Sequence, residues 1–327
     1  MKISCVILFY ERDRKYLESL VDNINENLSI EHEIILIDNR DDKSEVIDIP
    51  TTVVHQMKCN MLQFEARRWS VQFCSGDFVW FIDADDKILP VSNKFEMYAD
   101  YDEIVFSHNT KSGKRWQIYD RDYYFSKGDK DPFSAEFYYT SNEVVWNKWM
   151  KTSVLAECVK EIPEGLRIGL FEDNIYCMLM ARKIKSAVIL KDVLYEYNDD
   201  VAQHIHFSLD SLQRILGGFN QFCTLVNDLF TTEELMAIGK FDYLVTGCGY
   251  VLEKYSFMPE KDKPEARKVI LKNFDFSSIV VSNCIDTPVD WMLTYLEMEA
   301  EKKGKGIYDL TLAIKEVLEG DNKNENN

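Results

Sequence analysis

The sequence predicts an α/β fold: a Rossmann-like, mostly parallel sheet with helices on both faces over residues 1–205, followed by a helical region. Three observations predict it. Strand and helix patterns alternate from residue 3 to residue 83. The most strand-like segment, "FVWFIDADDKILP" (78–90), delivers three acids, Asp83, Asp85 and Asp86, to one point. From about residue 207, apolar residues recur only at helical spacing.

The elements follow in order. "ISCVILF" (3–9) is a continuous apolar run, as a strand buried on both faces requires. In "RKYLESLVDNINENL" the residues Leu17, Leu20, Val21 and Ile24 recur at helical spacing. "EIILID" (33–38) is a second strand and "TTVVHQ" (51–56) a short third. In "MLQFEARRWSVQFC" Leu62, Ala66, Trp69 and Phe73 fall on one helical face, and "DFVWFI" then feeds the acids. Open parallel sheets bind ligands beyond the C-terminal ends of their strands. Phe9-Tyr10, Asp38 and Asp83-Asp85 should therefore open on one edge.

The middle is less regular, with strand-like "EIVFS" (103–107) and "KRWQIYD" (114–120). "VVWNKWM" (144–150) leads into a helix, "KTSVLAECVKEI". "FEDNIYCMLMARKI" (171–184) is an amphipathic helix with two acids in its first turn, and "AVILKDVLYEY" (187–197) is extended. Beyond residue 205, Leu212, Ile215, Leu216, Phe219, Phe222 and Val226 make one stripe, and Thr231 to Glu234 forms a capping box. Two further helices are expected at 288–302 and 306–318. The expected division is a catalytic domain over 1–205, a helical domain over 206–320 and a disordered tail over 321–327.

Bulk properties exclude several classes. With 327 residues and 46% hydrophobic content the chain can bury a substantial core. No apolar run approaches the roughly 18 residues of a membrane-spanning helix, and "MKISCVILFYERDR" is too short an apolar opening for a secretory signal. Eight scattered cysteines without a CxxC pair read as unpaired thiols, not a zinc site. The expected location is the cytoplasm, the inner face of the membrane being compatible with it. A net charge of -18 disfavours direct nucleic-acid binding; the basic stretch "RKIKSAVILK" (182–191) reads as a helix end running into a strand.

Asp83 and Asp85 are alternate residues, which on extended chain point the same way. Two carboxylates at a strand end suit Mn²⁺ or Mg²⁺ carrying a diphosphate, because hard oxygens from phosphate and water complete the shell. A solvated acidic turn has the same composition.

At this point the chain resembles the family 2 inverting glycosyltransferases, which have the GT-A fold of nucleotide-diphospho-sugar transferases. The resemblance covers roughly residues 2–205. "ISCVILFYERDRKYL" looks like the family's opening strand and tyrosine turn, and "EIILIDNRDDKS" like its second strand and acidic loop. "ARRWSVQFCSGDFVWFIDADDKILP" is similar to the block leading into the family's DxD, with the Gly76 turn and Pro90. "VVWNKWMKTSVL" and "GLFEDNIYCMLM" resemble its late acceptor-side and Glu-Asp blocks. The resemblance implies that Tyr10 and Asp38 hold the nucleotide base, with Asp38 accepting from the ring N–H, and that Arg67 lies beside base or ribose. It implies Asp83 at the ribose or the metal's waters and Asp85 as principal ligand of Mn²⁺ or Mg²⁺, with Asp86 bracing the loop. It also implies a UDP-sugar donor and a glycan or lipid-linked acceptor, as in bacterial surface polysaccharide synthesis. Leu8, Glu11 and Arg68 depart from the family's usual proline and asparagines, and "DNRDDKS" lacks its glycine. These departures fall on the base side of the site rather than on the metal side; uridine is the default base.

An inverting transfer needs one base to take the acceptor's proton during in-line attack. Asp173, with Glu172 orienting acceptor or loop, is that candidate, although acids at a helix start also serve as ordinary caps. Trp146 and Lys148 are candidates for acceptor contact; Trp146 fits the core equally well. His204 and His206 follow the last strand, where related enzymes place a further metal or diphosphate contact, and the sequence does not choose between them. Two other readings compete. One is a phosphohydrolase of haloacid-dehalogenase type with Asp83 as nucleophile, the other a non-catalytic sugar-nucleotide-binding module. The C-terminal helices, with Trp291, Met292 and Tyr295, offer a surface for homo-oligomer formation.

Overall fold

The computed structural model describes residues 1–113, 119–126, 141, 144–169, 171–200, 208–231, 234, 258–259 and 261–273. The chain divides into two compact units, Met1–His204 and Ile205–Asn327.

The first unit is built on a nine-stranded sheet: β1 (Lys2–Phe9), β2 (Glu31–Asp38), β3 (Thr52–Gln56), β4 (Phe78–Asp83), β5 (Lys87–Ile88), β6 (Glu103–Thr110), β7 (Tyr123–Ser126), β8 (Lys148–Lys151) and β9 (Ser186–Tyr197). Their order is β3-β2-β1-β4-β8-β6-β9-β5, with β7 also paired to β9. The first four strands are mutually parallel where they pair, as the continuous apolar runs predict. Beyond β4 the sheet is mixed, because β8 enters antiparallel between β4 and β6. The 12-residue β9 runs parallel to β6 and takes β7 along 186–189 and β5 along 195–196. Of the expected strand at 114–120, residues 114–118 lie outside the described residues.

A 3₁₀ turn, Glu11–Tyr16, precedes α1 (Leu17–Asn27), which buries Leu17, Leu20, Val21 and Ile24 as its spacing predicts. α2 (Leu62–Ser70) differs from its expected face. It buries Phe64, Glu65, Ala66, Arg67 and Ser70, whereas Trp69 and Phe73 lie on a half-exposed flank packed with His55. Two ionic side chains occupy buried positions because each has ionic partners, and a search for apolar periodicity does not register them. α3 (Thr152–Glu161) follows β8. α4 (Glu172–Lys183) is not amphipathic as expected but buried all round from Asn174 to Ala181, with its charges confined to the two ends.

Gly76 fixes the entry to β4. A Cβ there would sit 2.7 Å from the Ser4 nitrogen and 2.8 Å from the Lys2 carbonyl oxygen, so only glycine lets the turn press against β1. Its N–H donates to Ser4 Oγ at 2.9 Å.

In the second unit α5 (Leu209–Leu229) starts at Ser208, whose side chain accepts from the Ser211 N–H. It buries all six residues of the predicted stripe. The Thr231–Glu234 box is present: Thr231 N–H donates to Glu234 Oε2 at 2.8 Å and Glu234 N–H to Thr231 Oγ1 at 3.3 Å. α6 spans Lys263–Asn273. The helices expected at 288–302 and 306–318, the residues Trp291, Met292 and Tyr295, and the tail at 321–327 lie outside the described residues. Among the described residues no helix is long and apolar enough to cross a membrane.

Candidate active site

Sheet register brings the candidate residues to one edge. Phe9 pairs with Asp38 and Leu8 with Asp83, so β1, β2 and β4 end level with one another. Asp83 is the last residue of β4, and the Asp86 N–H donates to its carbonyl at 3.1 Å. Asp83 to Asp86 is thus a tight turn, not extended chain, and alternation is not what sets Asp83 and Asp85. Asp86 braces this turn. It is 4% exposed and accepts from the Tyr195 hydroxyl at 2.6 Å and the Asn198 N–H at 2.7 Å. The same hydroxyl accepts from the Asp83 N–H at 3.2 Å. Burial pushes the Asp86 carboxyl well above its usual range, with Asp83 adding to the effect.

Arg67, from α2, joins the turn to α4. Its Nη2 donates to Asp83 Oδ1 at 3.2 Å, and its Nη1 to Asp173 Oδ1 and, at 3.4 Å, to Glu172 Oε1. Burial works against the charged guanidinium, but Asp173, Asp83 and Glu172 hold its pKa above the ordinary value. Asp173 Oδ2 also accepts from the Val145 N–H at 3.3 Å. Burial and the neighbouring Asp173 charge push Glu172 up to about 7 against the pull of Arg67. Burial raises Asp83 to about 6, again opposed by Arg67. Asp83 keeps 30% of its side chain exposed, so solvent moderates that rise.

Tyr10 lies within electrostatic reach of Arg67 and Glu172. Burial lifts its phenol to about 12, while a hydrogen bond with Asn39 pulls the other way. Asp38 is fully buried, and both its oxygens are engaged: Arg40 grips them at 3.0 Å each and Lys43 adds a 2.9 Å contact. These bonds, against the burial cost, hold Asp38 below the usual carboxylate range. As placed, Asp38 is enclosed, and only Oδ2, with its one bond from Arg40, keeps acceptor capacity for a base N–H.

The expected acceptor contacts, Trp146 and Lys148, belong to the interior. Trp146 is 4% exposed, accepts from Trp80 Nε1 at 2.7 Å and stacks on Tyr195 at 4.8 Å and Tyr197 at 5.4 Å. Lys148 is fully buried with Nζ donating to the Ser141 carbonyl at 2.6 Å. Neither offers a face to a second substrate; Trp146 instead backs the Tyr195 that locks the acid turn. His204 and His206 lie outside the described residues.

Among the described residues no three metal-ligating side chains converge. The hard carboxylates of Asp85 and Asp83 would suit a divalent cation such as Mn²⁺ or Mg²⁺ that draws further ligands from diphosphate and water. Asp85 is half-buried and Asp83 gives one oxygen to Arg67.

Sequence reasoning missed Arg40, Lys43 and Tyr195. The signal for the first two was basic residues two and five positions past a strand-end acid. For Tyr195 it was the alternation with Tyr197 at the end of a strand, which sets both on one face.

No family model and no curated protein matches the chain. In structure it is similar to residues 1–349 of S. aureus TarS, with TM-score 0.58 at 13% identity over 98% of this chain and 92% of that one. TarS 1–349 in complex with UDP-GlcNAc gives TM-score 0.59 at 14% identity over the same shares, and the complex with UDP gives 0.57 at 14%. At this identity the likeness is one of fold: the chain has the α/β fold of TarS residues 1–349.

Proposed function

We propose that the chain is an inverting glycosyltransferase of the GT2 type. It would move a sugar from a UDP-sugar to a hydroxyl of a glycan or lipid-linked acceptor, in the class of bacterial surface polysaccharide synthesis. The observation that carries this reading is the Arg67 bridge, which brings the acid turn after β4 and the acids of α4 into one site. The fold supports it, since TarS has been solved with UDP-GlcNAc.

The geometry supports the following roles. Asp85, with Asp83 beside it, would hold Mn²⁺ or Mg²⁺, which when bound offsets negative charge on the diphosphate. Asp173 accepts the proton of the acceptor hydroxyl as that oxygen attacks the anomeric carbon and the bond to the diphosphate oxygen breaks. Arg67 aims Asp173 and keeps Asp83 and Asp173 apart as charges. Glu172, raised to about 7, shares the Arg67 guanidinium and limits the total charge of the cluster near neutral pH. Tyr10 flanks the nucleotide.

Release of UDP from UDP-GlcNAc and related UDP-sugars, with and without candidate glycan acceptors, tests the reading. Asp173→Asn is expected to lower acceptor-dependent turnover by roughly 10²- to 10⁴-fold, the usual contribution of a general base, while UDP still binds. Turnover unchanged in Asp173→Asn contradicts the assignment. Phosphatase activity lost in Asp83→Asn but kept in Asp173→Asn contradicts the transferase.

A further inference from the structure

The 3₁₀ turn Glu11–Tyr16 follows β1 directly, and Leu8 pairs with Asp83, so this turn stands beside the acid turn that ends β4. It carries Arg12, Arg14 and Lys15 on a chain whose net charge is -18. The three cations are not equivalent. Arg14 is drawn to Glu45 at 3.4 Å and Glu18 at 3.7 Å. Arg12 keeps 76% of its side chain exposed and leans on the adjacent Asp13 at 3.3 Å. Lys15 is exposed, its Nζ 4.6 Å from the centroid of the Tyr16 ring.

Several other cations near this edge are committed. Arg40 and Lys43 hold Asp38, Arg67 holds three acids, and Lys111 pairs with Asp200 at 2.6 Å. Arg12 and Lys15 both lie within electrostatic reach of Asp85. A nucleoside diphosphate entering beside Asp83 and Asp85 meets two carboxylates, and one divalent cation offsets no more than those two charges. The diphosphate's own charge still needs positive partners, and a guanidinium and an ammonium meet that need through charge-assisted hydrogen bonds.

We propose that Arg12 and Lys15 bind the diphosphate of the donor and set the preference for a nucleoside diphosphate over the bare nucleoside. The inference rests on the transferase reading and adds to it residues outside the acid turn. Asp13 couples the two ends of such a ligand: its Oδ2 accepts from the Tyr10 N–H at 3.0 Å while its Oδ1 faces Arg12. The turn thereby ties the tyrosine on the base side to the cation on the phosphate side.

Calorimetric titration of UDP and of uridine, both with Mg²⁺, into wild type, R12Q/K15Q and R12K/K15R tests this. The expected result is UDP binding weakened about tenfold in R12Q/K15Q, the order of one or two charge-assisted hydrogen bonds, with uridine unchanged and UDP binding retained in R12K/K15R. Salt should weaken UDP binding less in R12Q/K15Q than in wild type. Equal UDP affinity in wild type and R12Q/K15Q overturns the proposal, as does an equal loss for UDP and uridine. Wild type that binds no UDP overturns it together with the transferase reading, and is told apart because the failure precedes any substitution.

Discussion

Arg67 serves three carboxylates with two nitrogen atoms, while its Nε has no partner among the described residues. A guanidinium suits this post because its planar fork reaches two directions and it is always charged. Behind the site, Glu103 on β6 is 1% exposed, and burial pushes its carboxyl up to about 7 against the pull of Lys148. An acid whose folded pKa exceeds its unfolded value keeps its proton in the native state after the unfolded chain has lost it. Its contribution to stability then falls as pH rises from about 4.5 to about 7. Glu172 acts in the same window with the same sign. In metal-free protein, urea unfolding at the two ends of this window should show that decline. Glu103→Gln should remove about 2–3 kcal/mol of it. A variant with the same pH slope as wild type shows that Glu103 is not the buried acid responsible.

At the scale of elements, the positions that matter are those where two elements touch without room to spare. Gly76 presses against β1, so Gly76→Ala must move backbone and should cost about 1–3 kcal/mol by denaturant unfolding, with the slope of the transition unchanged; a neutral result contradicts the close approach. The parallel strands were legible because β1, β2 and β4 are unbroken apolar runs, and the level strand ends follow from parallel pairing. α1 and α5 were legible because their buried faces are purely apolar. α2 was misread where its buried face carries Glu65, paired with Arg68 one turn on, and Arg67, whose partners lie elsewhere in the chain. Lys148 read as an acceptor contact because nothing local indicates that its ammonium meets the Ser141 carbonyl. Asp38 shows the same limit. Its place at a strand end was visible, but the Arg40 fork that closes over it is a matter of loop geometry.

On the scale of the whole molecule, an acidic chain concentrates carboxylates at one sheet edge and holds them there with Arg67 and Tyr195. Such an arrangement binds an anionic nucleotide only if positive charge accompanies it, so nucleotide and metal should stabilise the protein together. A nucleoside diphosphate should bind at the acid turn. Thermal unfolding of wild type and Asp85→Asn with UDP, GDP, dTDP or CMP, each with Mn²⁺ or with EDTA, tests it most directly. A ligand present at 100 times its dissociation constant adds about 2.7 kcal/mol. The account predicts that UDP raises the melting temperature of wild type with Mn²⁺, that EDTA removes the shift and that Asp85→Asn abolishes it. Unfolding unmoved by every nucleotide, with metal or without, contradicts it.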